Sequence, residues 1–285
     1  MTVTEAGTLV CPACRRPLAW AGTLAGDRLD AGALRCGACA RDWPVRDGLP
    51  RLVDDAAVRG ADRFMRVLYD RLAALHDPLT RLLFPPLQGT SEDAARDRYM
   101  ERLSLGSMRV RHGAGRARIL EVGVGSGANL PLLERDLPPD VDVELWGVDL
   151  SERMLARCRR RLARHPGRRM RLAIADAHAL PFPDASFDRV FHVGGIGGYG
   201  DPRRALAEMA RVARPETPIV VVDEQLDPGH HDSLFHRVVF RALTFYAADA
   251  TSPVAHLPAG ATAVRSEQVS RYYYCLSFSM PRHDG

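Results

Sequence analysis

Two groups of residues in this 285-residue chain have the types and spacing for chemistry. The first is Arg118-Ile119-Leu120-Glu121-Val122, an apolar run that meets Gly123, Gly125 and Gly127 and is followed, after a second apolar run from Val143 to Val148, by Asp149. A strand that turns through glycines into a helix lets backbone N–H groups approach a ligand closely, and an acid about 20 positions later can accept hydrogen bonds from ribose hydroxyls. The second group is Cys11-Pro12-Ala13-Cys14 with Cys36-Gly37-Ala38-Cys39. Two pairs of thiolates at this spacing can close a tetrahedral shell around zinc, a structural site with no open position for catalysis. Disulfides are the competing reading, which a reducing compartment disfavours. Cys158 and Cys275 stand in helical or apolar contexts and read as ordinary thiols.

The glycine spacing narrows the first ligand. Nicotinamide enzymes favour GxGxxG, whereas this chain has acid-x-GxGxG, and no Gly-Lys-Ser/Thr is present to form a P-loop. Acid-x-GxGxG resembles motif I of the class I S-adenosylmethionine (SAM) methyltransferases. Three later segments carry the same resemblance. They are Asp149-Leu150-Ser151-Glu152-Arg153-Met154-Leu155, with Ser151 placed as a helix N-cap, Asp176-Ala177-His178-Ala179-Leu180-Pro181-Phe182, and Asp184-Ala185-Ser186-Phe187-Asp188 running into a strand that ends at His192. The resemblance implies SAM as cofactor, held by Glu121, Gly123, Gly125, Gly127, Asp149, Leu150, Met154, Asp176, Ala177 and His192. Within that set it gives Asp149 the ribose, Met154 a face of the adenine, and Asp176 the adenine amino group while the following backbone N–H donates to the ring.

These residues need a sheet to hold them, and the remaining order supplies one. Met170 to Ala175 and Ile219 to Asp223 are further apolar strands, and Pro202 to Ala213 has helical periodicity with Leu206, Met209, Ala210 and Val212 on one face. Val264 to Val269 and Tyr272 to Phe278 alternate as a closing antiparallel pair. The fold expected is α/β: a doubly wound, mostly parallel, seven-stranded Rossmann-like sheet behind an N-terminal zinc ribbon, with ligands at the carboxyl ends of the strands. Between helix and fifth strand the resembling family usually has Lys-Pro-Gly-Gly, where this chain has Arg214-Pro215-Glu216-Thr217.

Three segments are expected: a zinc ribbon over 1–53, a helical lead-in over 54–112 and a SAM-binding domain over 113–285. Trp43-Pro44-Val45-Arg46-Asp47-Gly48-Leu49-Pro50-Arg51-Leu52 resembles the tail of the small zinc-ribbon proteins that act as methyltransferase activators, which implies that the ribbon docks on its own catalytic domain. Phe64 to Asp77 has apolar positions at helical spacing before Pro78. It is similar to the lead-in of the ubiquinone and menaquinone C-methyltransferases, and that likeness implies that Tyr69 and His76 line the substrate pocket.

Composition sets the outer bounds. The chain carries 39 basic and 35 acidic side chains, a net charge of +4. No run of about 20 apolar residues offers a membrane span, and Met1-Thr2-Val3-Thr4-Glu5 lacks a basic start and an apolar signal core, so a cytoplasmic protein is expected. Eight arginines between Arg157 and Arg171 could bind phosphate, but a solvated helix face is the plainer reading, on a helix expected to pack away from the substrate mouth.

A SAM-dependent reaction needs alignment and water exclusion more than a fixed catalytic side chain, and a base only where the acceptor must lose a proton. The candidates for that role are His192 and Tyr199, with His230 or His231 behind them. The glycine-dense loop Gly194 to Gly200 would allow close approach to a substrate, and the Phe-, Leu- and Val-rich segment from His230 to Pro258 reads as an inserted helix covering an apolar pocket. The expected activity is methyl transfer to a small, apolar metabolite or natural product. The alternatives are an rRNA or tRNA base methyltransferase, with RNA as partner, and a non-methylating protein of the SAM-binding fold. The oligomeric state is not specified by these residues.

Overall fold

The two apolar runs that flank the glycine turn lie side by side at the centre of one continuous sheet. The computed structural model describes residues 1–73, 92–109, 116–164, 170–247 and 250–282. Strands β1 (Leu18–Ala25), β2 (Arg28–Cys36), β3 (Asp42–Arg46) and β4 (Leu49–Leu52) come from the ribbon. Strands β5 (Ala117–Val122), β6 (Val143–Asp149), β7 (Met170–Ala175), β8 (Arg189–Val193), β9 (Ile219–Glu224), β10 (Thr262–Ser270) and β11 (Tyr273–Ser279) form the expected seven-stranded core. The spatial order is β1-β2-β3-β4-β7-β6-β5-β8-β9-β11-β10. β5 runs parallel to both β6 and β8, and β11 is antiparallel to β9 and β10.

The ribbon does more than dock. β4 pairs in parallel with β7 through Arg51 opposite Ile174 and Leu52 opposite Ala175, so the ribbon prolongs the core sheet to eleven strands. An edge strand with free N–H and C=O groups invites aggregation, and β4 covers that edge. The two apolar cores merge as well, since Leu34, Trp43 and Leu52 of the ribbon pack in one cluster with Trp146, Phe182 and Phe187. Polar ties complete the join: Arg171 is paired with Glu5 at 2.6 Å and Arg15 with Glu208 at 2.9 Å, while the Arg159 guanidinium donates to the Asp47 carbonyl at 3.0 Å. Part of the arginine run is thereby committed to ribbon contacts.

Helices cover both faces, which is why the parallel strands are almost continuously apolar. α1 (Val3–Ala6) precedes the ribbon, α2 spans 60–73, and α3 (Glu92–Arg102), α4 (Leu130–Asp136), α5 (Glu152–Ala163), α6 (Pro202–Val212) and α7 (Leu234–Leu243) follow. Ser151 caps α5 by accepting from the Met154 N–H at 3.1 Å, and Asp201 caps α6 ahead of Pro202. In the altered turn, Glu216 holds φ +61°, the left-handed conformation that a glycine would take without strain, and its N–H donates to the Met280 carbonyl at 2.7 Å.

Two expectations change. Arg161 and Arg164, at the end of α5, line the central cavity, so that helix is not wholly turned away from the ligand side. α7 does not lie over the cavity along its length. Only Phe240 is buried, Leu243 with Phe245 and Tyr246 after it reach the cavity, and Leu234, Phe235 and Val238 face outward. His76 lies outside the described residues.

Candidate functional site

Strand β5 ends at the wall of a cavity of about 780 Å³. Gly123 leaves the strand with φ +69°, and a Cβ there would come 3.0 Å from His192 Nδ1; at Gly127, φ +73°, a Cβ would meet Cys158 Sγ at 2.8 Å. Glycine is therefore required twice, once for the turn beside β8 and once for the close approach of α5. The Val124 N–H donates to the Val148 carbonyl at 3.0 Å, pinning the loop to β6. Asp149 completes the connection: its Oδ2 accepts from the Gly125 N–H at 2.8 Å and its Oδ1 from the Ser151 N–H at 2.7 Å.

Glu121 lies deeper. It is 1% exposed, and its Oε1 accepts from Asn129 Nδ2 at 2.7 Å, while Oε2 has no hydrogen-bond partner among the described residues. Burial pushes its carboxyl up to about 8. Asn129 is itself held by the Tyr99 hydroxyl at 2.7 Å, and Arg96 donates to the neighbouring Ala128 carbonyl at 3.0 Å. Both Tyr99 and Arg96 face the cavity from α3.

On the far side, β7 delivers Asp176. Its Oδ1 accepts from the His178 N–H at 2.9 Å and meets His178 Nδ1 at 2.7 Å. Burial is the largest influence and opposes ionisation of both groups, but their hydrogen bonds and the surrounding opposite charges together outweigh it, lowering the Asp176 carboxyl and raising the His178 imidazole from their ordinary values. Tyr199 sits between two imidazoles, with ring centroids 5.5 Å from His178 and 5.3 Å from His192. His192 is 1% exposed, with Nδ1 against the Val122 carbonyl at 2.8 Å, and burial pulls it below the usual imidazole value.

The end of β9 forms the remaining wall. Asp223 accepts from the Gly195 N–H at 2.7 Å and the Gly197 N–H at 2.6 Å, which fixes the glycine-rich loop after β8. Glu224, next along, is half-buried and lines the cavity, opposite Tyr273 in the strand register. Burial, then the adjacent Asp223, holds its carboxyl well above the usual range, against a hydrogen bond to Tyr246. Tyr69, Tyr246, Tyr273 and Phe245 give this end an aromatic lining.

Of the residues singled out by sequence, Glu121, Gly123, Gly125, Asp149, Leu150, Met154, Asp176, Ala177, Tyr69 and Tyr199 line one cavity. Gly127 packs under the loop, and His192 stands behind Gly123 without being part of the lining. Sequence reasoning missed Arg96, Tyr99, Asn129, His178 and Glu224. Glu224 had a signal, an acid at the carboxyl end of a fully apolar strand; Arg96 and Tyr99, on a helix of mixed polarity, had none.

The two CxxC knuckles also converge. The four Sγ atoms lie within 4.8 Å of one another, with Cys11 to Cys39 at 3.6 Å and Cys14 to Cys36 at 3.4 Å. Tetrahedral zinc at ordinary Zn–S lengths separates thiolates by about 3.8 Å, so this donor set fits the ion.

Comparison with known proteins agrees with both sites. Residues 119–216 match the family described as a methyltransferase domain, and residues 7–48 match the Trm112p-like proteins. A demethylmenaquinone methyltransferase of Thermus thermophilus is 38% identical over 129 residues, 45% of this chain and 57% of the relative. A ubiquinone/menaquinone biosynthesis C-methyltransferase of Geobacter sulfurreducens is 32% identical over 160 residues, 56% of this chain and 57% of the relative. The chain thus spans about half the length of the curated relatives it matches. Among solved structures, the phosphoethanolamine N-methyltransferase 2 of Haemonchus contortus in complex with SAM shares the fold, with TM-score 0.58 and 15% identity over 85% of this chain and 62% of that one.

Proposed function

We propose that this chain is a SAM-dependent methyltransferase acting on a small, apolar acceptor. The observation that carries the reading is the pair of acids that flank the glycine loop: Glu121 in β5 just before it, with one oxygen unpartnered among the described residues, and Asp149 at the end of β6, held by two backbone N–H groups, both on the wall of one cavity. A buried acceptor without a donor is costly unless a ligand completes it. The methionyl ammonium of SAM suits Glu121, its carboxylate suits Arg96, and its ribose hydroxyls suit Asp149. Asp176 and the Ala177 N–H would serve the adenine. When bound, SAM supplies a methyl group already activated on a sulfonium.

The chain's own contribution is then to orient the acceptor and exclude water. Tyr69, Tyr246, Tyr273 and Phe245 present aromatic surface to it. Tyr199 meets the acceptor side directly, with His192 and His178 fixing its ring, and Glu224 is the carboxyl that can take a proton there. The quinone-directed names of the two relatives favour a lipophilic ring as acceptor. The three segments 1–53, 54–112 and 113–285 would act as one unit, with zinc holding the fold of the ribbon, β4 joining it to the core, and no coordination position left for chemistry. A reducing cytoplasm suits four metal-binding thiolates. Ribbon contacts by Arg159 and Arg171 leave less of the arginine run for RNA.

The test is titration of SAM into the full chain, followed by transfer of labelled methyl in a host lysate separated into RNA, protein and organic-extractable fractions. SAM binding with label in the organic fraction is expected. Absence of SAM binding removes the enzyme reading; label in RNA replaces the acceptor class.

A further inference from the structure

Of the eleven large apolar side chains exposed among the described residues, seven lie on α2, on α7 or just after α7. Phe64 and Leu72 of α2, Leu234, Phe235 and Val238 of α7, and Phe245 just after it are 39 to 78% exposed. The rings of Phe64 and Phe245 meet edge to face, 6.2 Å between centroids, joining the two elements into one surface. Leu72 and Phe245 also line the cavity, so the apolar surface is continuous from outside to inside. Exposed apolar patches of this kind, rimmed by polar residues, mark interaction sites.

Among the described residues of these two helices, the exposed charges have one sign. Both acids of α2 are turned to the protein body, where Asp62 accepts from the Gly200 N–H at 3.0 Å and Asp70 from the Ser151 hydroxyl at 2.6 Å. α7 contains no acid, and Asp232 ahead of it is paired with Arg271 at 3.3 Å. Arg63, Arg71 and Arg237 are exposed around the patch. An outward-facing helix that exposes Leu234, Phe235 and Val238 with Arg237 beside them has the makeup of an element that lies in a membrane interface. A second copy of the chain is disfavoured, because a two-fold contact would bring these arginines against one another.

We propose that the exposed face of α2 and α7 docks on an anionic lipid bilayer, with the cavity mouth toward the lipid, so that a lipophilic acceptor enters from the membrane. The acceptor clause rests on the methyltransferase reading; the docking itself does not. Phe235, Leu234 and Phe64 enter the boundary between head groups and acyl chains, and the arginines meet the anionic head groups.

The experiment is sedimentation of the intact protein with phosphatidylcholine vesicles and with vesicles that also contain phosphatidylglycerol. Binding to the anionic vesicles is expected, weakened but not removed by salt. The double variant Leu234→Ser, Phe235→Ser should lose about tenfold or more of that binding, and Arg237→Ala about fivefold. All three side chains are exposed, so SAM affinity and thermal stability should stay at wild-type values. No binding to anionic vesicles, or equal binding by the double variant, overturns the proposal. So does a dimer in sedimentation velocity that the double variant dissolves, which would make a second copy the occupant. Vesicle binding by a protein without SAM affinity would support the docking and sink the methyltransferase reading alone.

Discussion

The Gly125 amide donates to Asp149 Oδ2 at 2.8 Å, across the 24 residues that separate the glycine loop from the end of β6. This single bond sets the loop and the second strand in one frame, and the Ser151 N–H on the other oxygen adds the start of α5 to it. The carboxylate that would take a ribose is therefore also what shapes the loop.

Asp149→Ala should act on both levels. Loss of charge-assisted hydrogen bonds should remove about 1.5 to 3 kcal/mol of SAM binding. The freed Gly125 and Ser151 amides should also lower the melting temperature of the ligand-free protein. Calorimetric titration and thermal unfolding check the two effects separately; unchanged SAM affinity would remove Asp149 from the site.

Zinc should be present at one ion per chain, and Cys36→Ser or a strong chelator should release it. The consequence extends past the ribbon, because β4 covers the β7 edge and Trp43 packs in the same cluster as Phe182. Metal removal should therefore lower the stability of the whole chain and promote aggregation through the uncovered edge. Metal analysis with light scattering before and after chelation tests this. A metal-free protein of equal stability contradicts it.

How much of this was legible in the sequence follows the range of the interactions. The glycine loop, Asp149 and the Ser151 cap are set by a strand, turn and helix adjacent in the chain, so their residue types announce them. The pairing of β4 with β7 rests on only two residue pairs, Arg51 with Ile174 and Leu52 with Ala175, and parallel pairing between distant segments has no local mark. His192 was legible as a strand end, but not that it would stand behind Gly123, outside the cavity lining. For Glu224 the register, opposite Tyr273, turned an ordinary strand-end acid into part of the cavity wall.

Glu224 is testable by pH. If its carboxylate takes the acceptor's proton, turnover needs the ionised form, and burial has moved that ionisation well above the usual carboxylate range. Activity should then fall as pH drops through this raised value, and Glu224→Gln should flatten that acid limb while leaving SAM affinity intact. A profile that keeps its acid limb in the variant assigns the limb to another group.

Glu121 yields the most counterintuitive outcome, because it trades stability for binding. Burial pushes its carboxyl up to about 8. The folded chain keeps this proton over a range in which the unfolded chain, titrating near 4.5, has released it. Stability should therefore decline as pH rises from about 4.5 to about 8, by about 3 kcal/mol at pH 7. Glu121→Gln keeps the acceptor for Asn129 but removes the ionisation, so the variant should be the more stable protein at neutral pH, with an advantage that grows across that window and vanishes below it. Its SAM affinity should fall, since the amide carries no charge for the methionyl ammonium. Denaturant unfolding at pH 5 and pH 8, with SAM titrations alongside, measures both signs. A variant less stable than wild type at pH 8 would show that Glu121 is ionised and paired in the free protein.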